Sequence, residues 1–553
     1  MNDYPSVSVI LGCSDYFGET IVNRLELLEG IPKIAALYEL VSINYILKPK
    51  DSFYYDSSEK KQYDILAHFC DQSSSTFHFY KSRIRNFDRD HNIIFNRQAC
   101  LFAIEELIHS NLPDIIDSFA DFDSNSFEKL LKYYISVNEE ITSIKEDGSD
   151  IHDFEHLNPK LLPLNELNIP VNPYFTIYRG VKLLEYFSQL PELQVLLNNY
   201  LQERYQMNSD EFIFNIMAMY IVNEQPNSEH NFFYYIQETN VTEQILLNAL
   251  SSPHIETDMY FKLLNARKNP FFKENDEKYL LIDNILLVEK VCYQFINDFW
   301  FDKVKQEPGW NIKKYRSCIG YFFESYIYSI LNEIVEGFKY VVLRLFDQLK
   351  IRNNDGDEIE LADIYWRDGN KVLIGQVKAG AIYDNEKFGG DLPTLYKNDR
   401  KLFFKNFGLE QLVNSLRDVE DYYLKVDNKY PIGHARHIYP VILVNDKAFQ
   451  TVFMNDIFNK RWNELCGEQD FDKKKLTIHR LTLMHISDLE RIAATIKKDK
   501  NKLWELLKFH TQGSKFIYPF INTINIKDID KHVPPQIMEY FKNLNNLYNP
   551  SKK

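Results

Sequence analysis

Asp363, Gln376 and Lys378 are the residues of this chain whose types and spacing most invite chemistry. They stand within IELADIYWRDGNKVLIGQVKAG, residues 359–380, inside two otherwise apolar runs. An unpaired carboxylate in an apolar strand is costly, so Asp363 needs a partner or a ligand. Asp368-Gly369 is a favoured two-residue hairpin turn. With that turn Arg367 pairs with Asn370, and Asp363 with Ile374. Side chains alternate along a strand, so Asp363 shares a face with Gln376 and Lys378. Gln376 is then the diagonal neighbour of Asp363, roughly 7–8 Å away between backbones. Two side chains at that distance can converge on one ion.

Other elements must hold this hairpin. Before it, SCIGYFFESYIYSILNEIVEGF carries Ile319, Phe322, Phe323, Tyr326, Ile327, Ile330, Leu331 and Ile334 as one stripe. The spacing predicts an amphipathic helix, and Gly337 suits its end. Glu324 sits beside the stripe rather than opposite it. After the hairpin, GLEQLVNSLRDVEDYY predicts a helix from which Gln411 can face the same site. YPVILVND is a short apolar run, as in a strand buried on both faces. KLTIHRLTLM predicts another strand. SDLERIAATI predicts a helix with Ser487 and Glu490 as a capping box. Helix, hairpin, helix, strand, strand, helix is the order of a mixed α/β domain.

The chain has 553 residues, too many for one ordinary core. Residues 1–165 predict a mostly helical domain, with RQACLFAIEELIHSNLPDIIDSF and FEKLLKYYISVNEEI its clearest helices. The proline-rich NPKLLPLNELNIPVNPYF reads as a linker. Residues 166–308 predict a helical accessory domain with a hairpin at NPFFKENDEKYLLID. Pro-Gly in KQEPGWNIKKYRS marks a boundary. Residues 309–515 form the mixed α/β domain, and 516–553 a C-terminal extension. The fold class is multidomain α+β or α/β.

No long uncharged apolar run and no secretory leader are evident, so the expectation is a cytoplasmic protein without a membrane partner. The six cysteines form no CxxC pair, which points to reduced, structural thiols. His434 and His437 have HxxH spacing but lie before a strand, unlike a HExxH zinc helix. Gly12 and Gly18 fit neither a dinucleotide fingerprint nor a P-loop. Charge is uneven. Residues 1–300 carry a net −21 and residues 301–553 a net +6, within the overall −15. Such asymmetry fits polyanion binding by the back part. It fits a protein partner, or intramolecular restraint, for the acidic front part. Lys387, Lys397, Arg400, Lys401 and Lys405, interleaved with Phe388, Tyr396, Phe403 and Phe404, are candidates for a phosphate track.

A helix glutamate, then Asp, then about a dozen residues, then Gln-x-Lys ending a strand, resembles the PD-(D/E)xK, or restriction-endonuclease-like, nuclease superfamily. The Gln-Val-Lys form is similar to its Mrr-type branch. Ala362 stands where the name-giving proline would be. The resemblance covers about residues 310–510. It implies a restriction-endonuclease-like domain and metal-dependent hydrolysis of phosphodiesters, with double-stranded DNA as the partner. Mg²⁺, for which Mn²⁺ can substitute, would take oxygen ligands from Asp363, Gln376, the Val377 carbonyl and Glu324. Lys378 would orient water or stabilise charge on the phosphate. The resemblance also implies a prokaryotic restriction or anti-phage defence effector. Gln in place of Glu keeps an alternative open: a nuclease fold that has lost turnover and serves as a nucleic-acid-binding or scaffold subunit.

Overall fold

The computed structural model describes residues 9–48, 55–85, 91–112, 124–142, 166–223, 233–236, 241–252, 264–381, 404–429, 434–469, 471, 475–512, 517–527, 529 and 533–548. The molecule is mixed α/β with a largely helical front part.

In the front part, helices at Lys33–Leu47, Arg97–His109 and Ser124–Thr142 pack around Leu37, Leu101, Ile104 and Tyr134. Asn96 starts the second of these, its side chain accepting the Ala99 N–H at 2.8 Å. The hairpin expected at 269–283 forms, with Phe271–Lys273 antiparallel to Lys278–Leu281. Its Phe272 and Leu280 side chains pack into this same core.

Helix α1 (Pro173–Gln189) begins a second core. It continues through α2 (Ile312–Val335), the helix that carries Glu324. Gly337 closes α2 at φ 84°, in the left-handed region a glycine tolerates. Then come β1 (Val341–Leu345), β2 (Ile364–Asp368), β3 (Lys371–Lys378), α3 (Leu409–Val426), β4 (Arg436–Val444), α4 (Val452–Gly467), β5 (Leu476–Ile478), β6 (Thr482–His485), α5 (Ile486–Lys498) and α6 (Asn501–Thr511).

Among the described residues these six strands form one mixed sheet, ordered β5-β4-β3-β2-β1 with β6 also on β4. β4 is parallel to β3, β5 and β6, while β1, β2 and β3 alternate antiparallel. Both faces are covered, which explains the near-continuous apolar run of β4. Leu373, Val377, Val441 and Leu443 meet α2, α5 and α6 on one face. Val372, Ile374, Ile442 and Val444 meet α3 and α4 on the other. The second core therefore runs without a break from α1 across residue 308 to the sheet.

Two expectations need correction. KLTIHRLTLM is not one strand. β5 pairs with the start of β4 and β6 with its end, and the break lets the His479 N–H reach the Ile438 carbonyl at 2.9 Å. Ser487 and Glu490 are not a capping box. His485 is the cap of α5, and Asp488 accepts its N–H at 3.0 Å. Glu490 is instead fully buried and accepts from Arg179 of α1 at 2.6 and 3.0 Å and from the Tyr326 hydroxyl of α2 at 2.8 Å. A second buried pair, Lys447 with Glu289, also ties the back part to the front. The six cysteines are free thiols. Among the described residues no helix is long and apolar enough to cross a membrane.

Removing one member of a buried pair strands the other charge. Glu490→Ala is therefore expected to lower unfolding stability by about 3–5 kcal/mol, read from urea denaturation. A loss below about 1 kcal/mol would mean that Arg179 finds solvent.

Candidate active site

The site lies where β3 ends and β2 begins, at the carboxyl end of the parallel strands. Open α/β sheets present ligands with polar groups at that end. The turn differs by one residue from expectation. Asp368 pairs with Lys371, so Gly369 and Asn370 form the loop. Gly369, at φ 62°, takes the first central position of a type II′ turn. Asp368 is held in the strand and binds Lys500 Nζ at 2.7 Å. The register slides by two residues, and a slip of two keeps every side chain on its face. Asp363 itself stands in the bend just before β2, with its N–H on the Gly375 carbonyl at 3.1 Å.

Asp363 is buried, and its Oδ2 accepts the Val377 N–H at 2.7 Å. Burial pushes its carboxyl upward, with Lys378 and the Val377 amide opposing the shift. Gln376 is fully buried. Its Nε2 donates to Ser415 Oγ of α3 at 2.9 Å, and its Oε1 lies 3.4 Å from Lys378 Nζ. Lys378 Nζ also donates to Gln411 Oε1 at 2.7 Å. The lysine stem lies over Gly408, just before α3. A Cβ there would come within 2.3 Å of Lys378 Cε, and φ of +78° disfavours any other residue.

Glu324 approaches from α2, on the opposite face of the sheet, and is half-buried. Burial, then the charges of Asp363 and Glu360, push its carboxyl up to about 7, against the pull of Lys378 and Lys350. Glu360, an exposed residue opposite Lys350, is raised by partial desolvation and by Asp363. The Asp363 charge thus raises both Glu324 and Glu360. Among the described residues, no three His, Cys, Asp or Glu side chains form a metal-ligating group. The expected donors are different in kind: two carboxylates, an amide oxygen and a main-chain carbonyl. Hard oxygens crowded by like charge fit a hard divalent cation.

Gln376, Lys378 and Gln411 are therefore joined by hydrogen bonds, Asp363 binds the Val377 N–H between Gln376 and Lys378 in sequence, and Glu324 is linked to Asp363 and Lys378 through charge. Val377 enters through its N–H, which positions Asp363. Lys387, Lys397, Arg400 and Lys401 lie outside the described residues, and Lys405 is exposed just before Gly408. Ser415, Gly408 and Glu360 were not singled out in the sequence. Ser415 had a signal, since it stands four residues after Gln411 on one helix face. Of the HxxH pair, His437 meets His479 at 3.3 Å, at the opposite end of β4. No family model, curated protein or solved structure matches this chain.

Glu324 titrates higher in the fold than its ordinary 4.5, so its stabilising contribution is full below that value and is lost as pH rises through about 7. Glu324→Gln removes the charge that causes the loss. With chelator present, the variant is expected to melt above the wild type at about pH 8, and level with it near pH 4, where the native carboxyl is protonated. Differential scanning fluorimetry at the two pH values checks this. A lower melting temperature at the higher pH would show that the ionised carboxylate stabilises the fold.

Proposed function

We propose that this chain is a metal-dependent endonuclease of the PD-(D/E)xK type, acting on phosphodiesters of double-stranded DNA. The observation that carries the reading is that Asp363 binds the Val377 N–H, between Gln376 and its hydrogen-bond partner Lys378, at the open end of a mixed sheet, with Glu324 on a helix of the other face coupled to Asp363 by charge. Mg²⁺, or Mn²⁺ in its place, would be held by Asp363, Glu324, the Gln376 amide oxygen and the Val377 carbonyl. When bound, it supplies neutralising charge for the phosphate and an acidified water.

The chain's own residues do the rest. The Val377 N–H holds the Asp363 carboxylate in one orientation. The Lys378 ammonium can only donate. Gln411 and Gln376 hold it with acceptors, so the charge is placed before substrate arrives and needs little reorganisation as negative charge grows on the phosphate. Gly408 leaves room for the lysine stem. The net +6 of residues 301–553 suits a polyanion, whereas the net −21 of residues 1–300 suits a protein partner or restraint of the basic half. The ties from Glu490 and Lys447 to the front part offer a physical route for such restraint. A restriction or anti-phage defence effector is the setting this reading favours. A catalytically silent scaffold is the second reading, and the neutral Gln376 is the observation behind it.

Asp363→Ala and Lys378→Ala are each expected to abolish Mg²⁺-dependent cleavage of plasmid and linear duplex, with unchanged circular dichroism. Single strands and RNA belong in the same assay. Binding should weaken steeply as salt rises. A folded variant that cuts at the wild-type rate refutes the site. A wild type that binds duplex but never cuts, with either metal, supports the scaffold reading.

A further inference from the structure

Gln376 presents an asymmetric group where the commoner form of the motif has a symmetric one. A carboxylate offers an oxygen whichever way it turns. A carboxamide offers either an oxygen or an NH₂, which no cation accepts. The amide must therefore be held one way round, and its surroundings do so. Ser415 is buried at 2% exposure, and its Oγ donates to the Gln411 carbonyl at 2.9 Å. That carbonyl can only accept, so in this arrangement the single hydroxyl proton points to it. Towards Gln376, Ser415 Oγ then presents its lone pairs, and it accepts from Nε2 at 2.9 Å. On the other side, Lys378 Nζ has no lone pair to offer an NH₂, so the atom that faces it must be Oε1. Both neighbours select the same orientation.

We propose that Ser415 is a positioning residue that turns the Gln376 carboxamide so that its oxygen, and not its nitrogen, faces Lys378 and the end of the sheet. The inference rests on the metal-dependent reading of the site. It makes the hydroxyl on α3 a requirement of the glutamine at 376. A chain with glutamate there needs no such hydroxyl, because either carboxylate oxygen serves.

The test is a double-mutant cycle on the full-length protein, with two readouts. The first is Mn²⁺ affinity by calorimetry. Ser415→Ala is expected to weaken it about 10–100-fold in the wild-type background, as loss of an orienting partner does at metal sites. Ser415→Thr, which keeps the hydroxyl, restores most of the loss. In the Gln376→Glu background, Ser415→Ala costs less than about threefold, because the two sites no longer couple. The second readout is hydrogen exchange of the Gln376 side-chain amide, followed by NMR on glutamine-labelled protein without metal. Exchange is slow in the wild type and in Ser415→Thr, and fast in Ser415→Ala. Equal losses of affinity in both backgrounds would make Ser415 merely structural and overturn the inference, as would unchanged amide exchange in Ser415→Ala. A wild type that neither binds Mn²⁺ nor cuts DNA refutes the reading of the site, and the amide exchange still decides the orientation.

Discussion

The antiparallel register of β2 on β3 is the constraint on which the site depends. The Asp363 N–H on the Gly375 carbonyl sets it at the open end, and Gly369 sets it at the turn. In this register the Val377 N–H falls where the buried Asp363 carboxylate, in the bend before β2, can use it. A slip of one residue would send the Gln376 and Lys378 side chains into the α2 face of the sheet. Apolar packing opposes that slip, because Leu373 and Val377 fill one core while Val372 and Ile374 fill the other.

Burial here works against charge. Asp363 and Gln376 are cut off from water, and Glu324 and Glu360 add like charge nearby. Lys378 ends the strand, and two amide oxygens fix its head. Among the described residues the result is a set of oxygen donors whose carboxylates raise one another's affinity for protons, opposed by Lys378 and Lys350. Such an arrangement costs stability in the isolated fold, and a cation would offset the cost.

The sheet is not an independent unit. One of its faces is completed by α2, α5 and α6, and the core they share reaches α1 and the helices before residue 304. Arg179 with Glu490, and Glu289 with Lys447, tie charges across the same junction. α2 belongs to this shared core and also carries Glu324. The β2–β3 hairpin enters the same core through Ile364, Trp366, Leu373 and Val377.

Local pattern was enough to reveal much of this. Period-two and three-to-four-residue spacings marked the hairpin, α2, α3, β4 and both strands at 269–283, because those elements are amphipathic or doubly buried along their own length. The alternation rule placed Asp363, Gln376 and Lys378 on one face; a register error of two residues leaves Gln376 and Lys378 there, while Asp363 stands in the bend before β2. What local pattern could not supply was distance between elements. That Glu324 comes round from the far face, that Gln411 and Ser415 grip Lys378 and Gln376, and that Gly408 makes space for a lysine stem are consequences of packing across the sheet. Glu490 shows the limit most clearly. Its position three residues after a serine has the spacing of a cap, yet a buried arginine more than three hundred residues earlier in the chain claims it. A local hydrogen bond can be read from spacing, whereas a buried ion pair between distant segments exists only once the cores have closed around it.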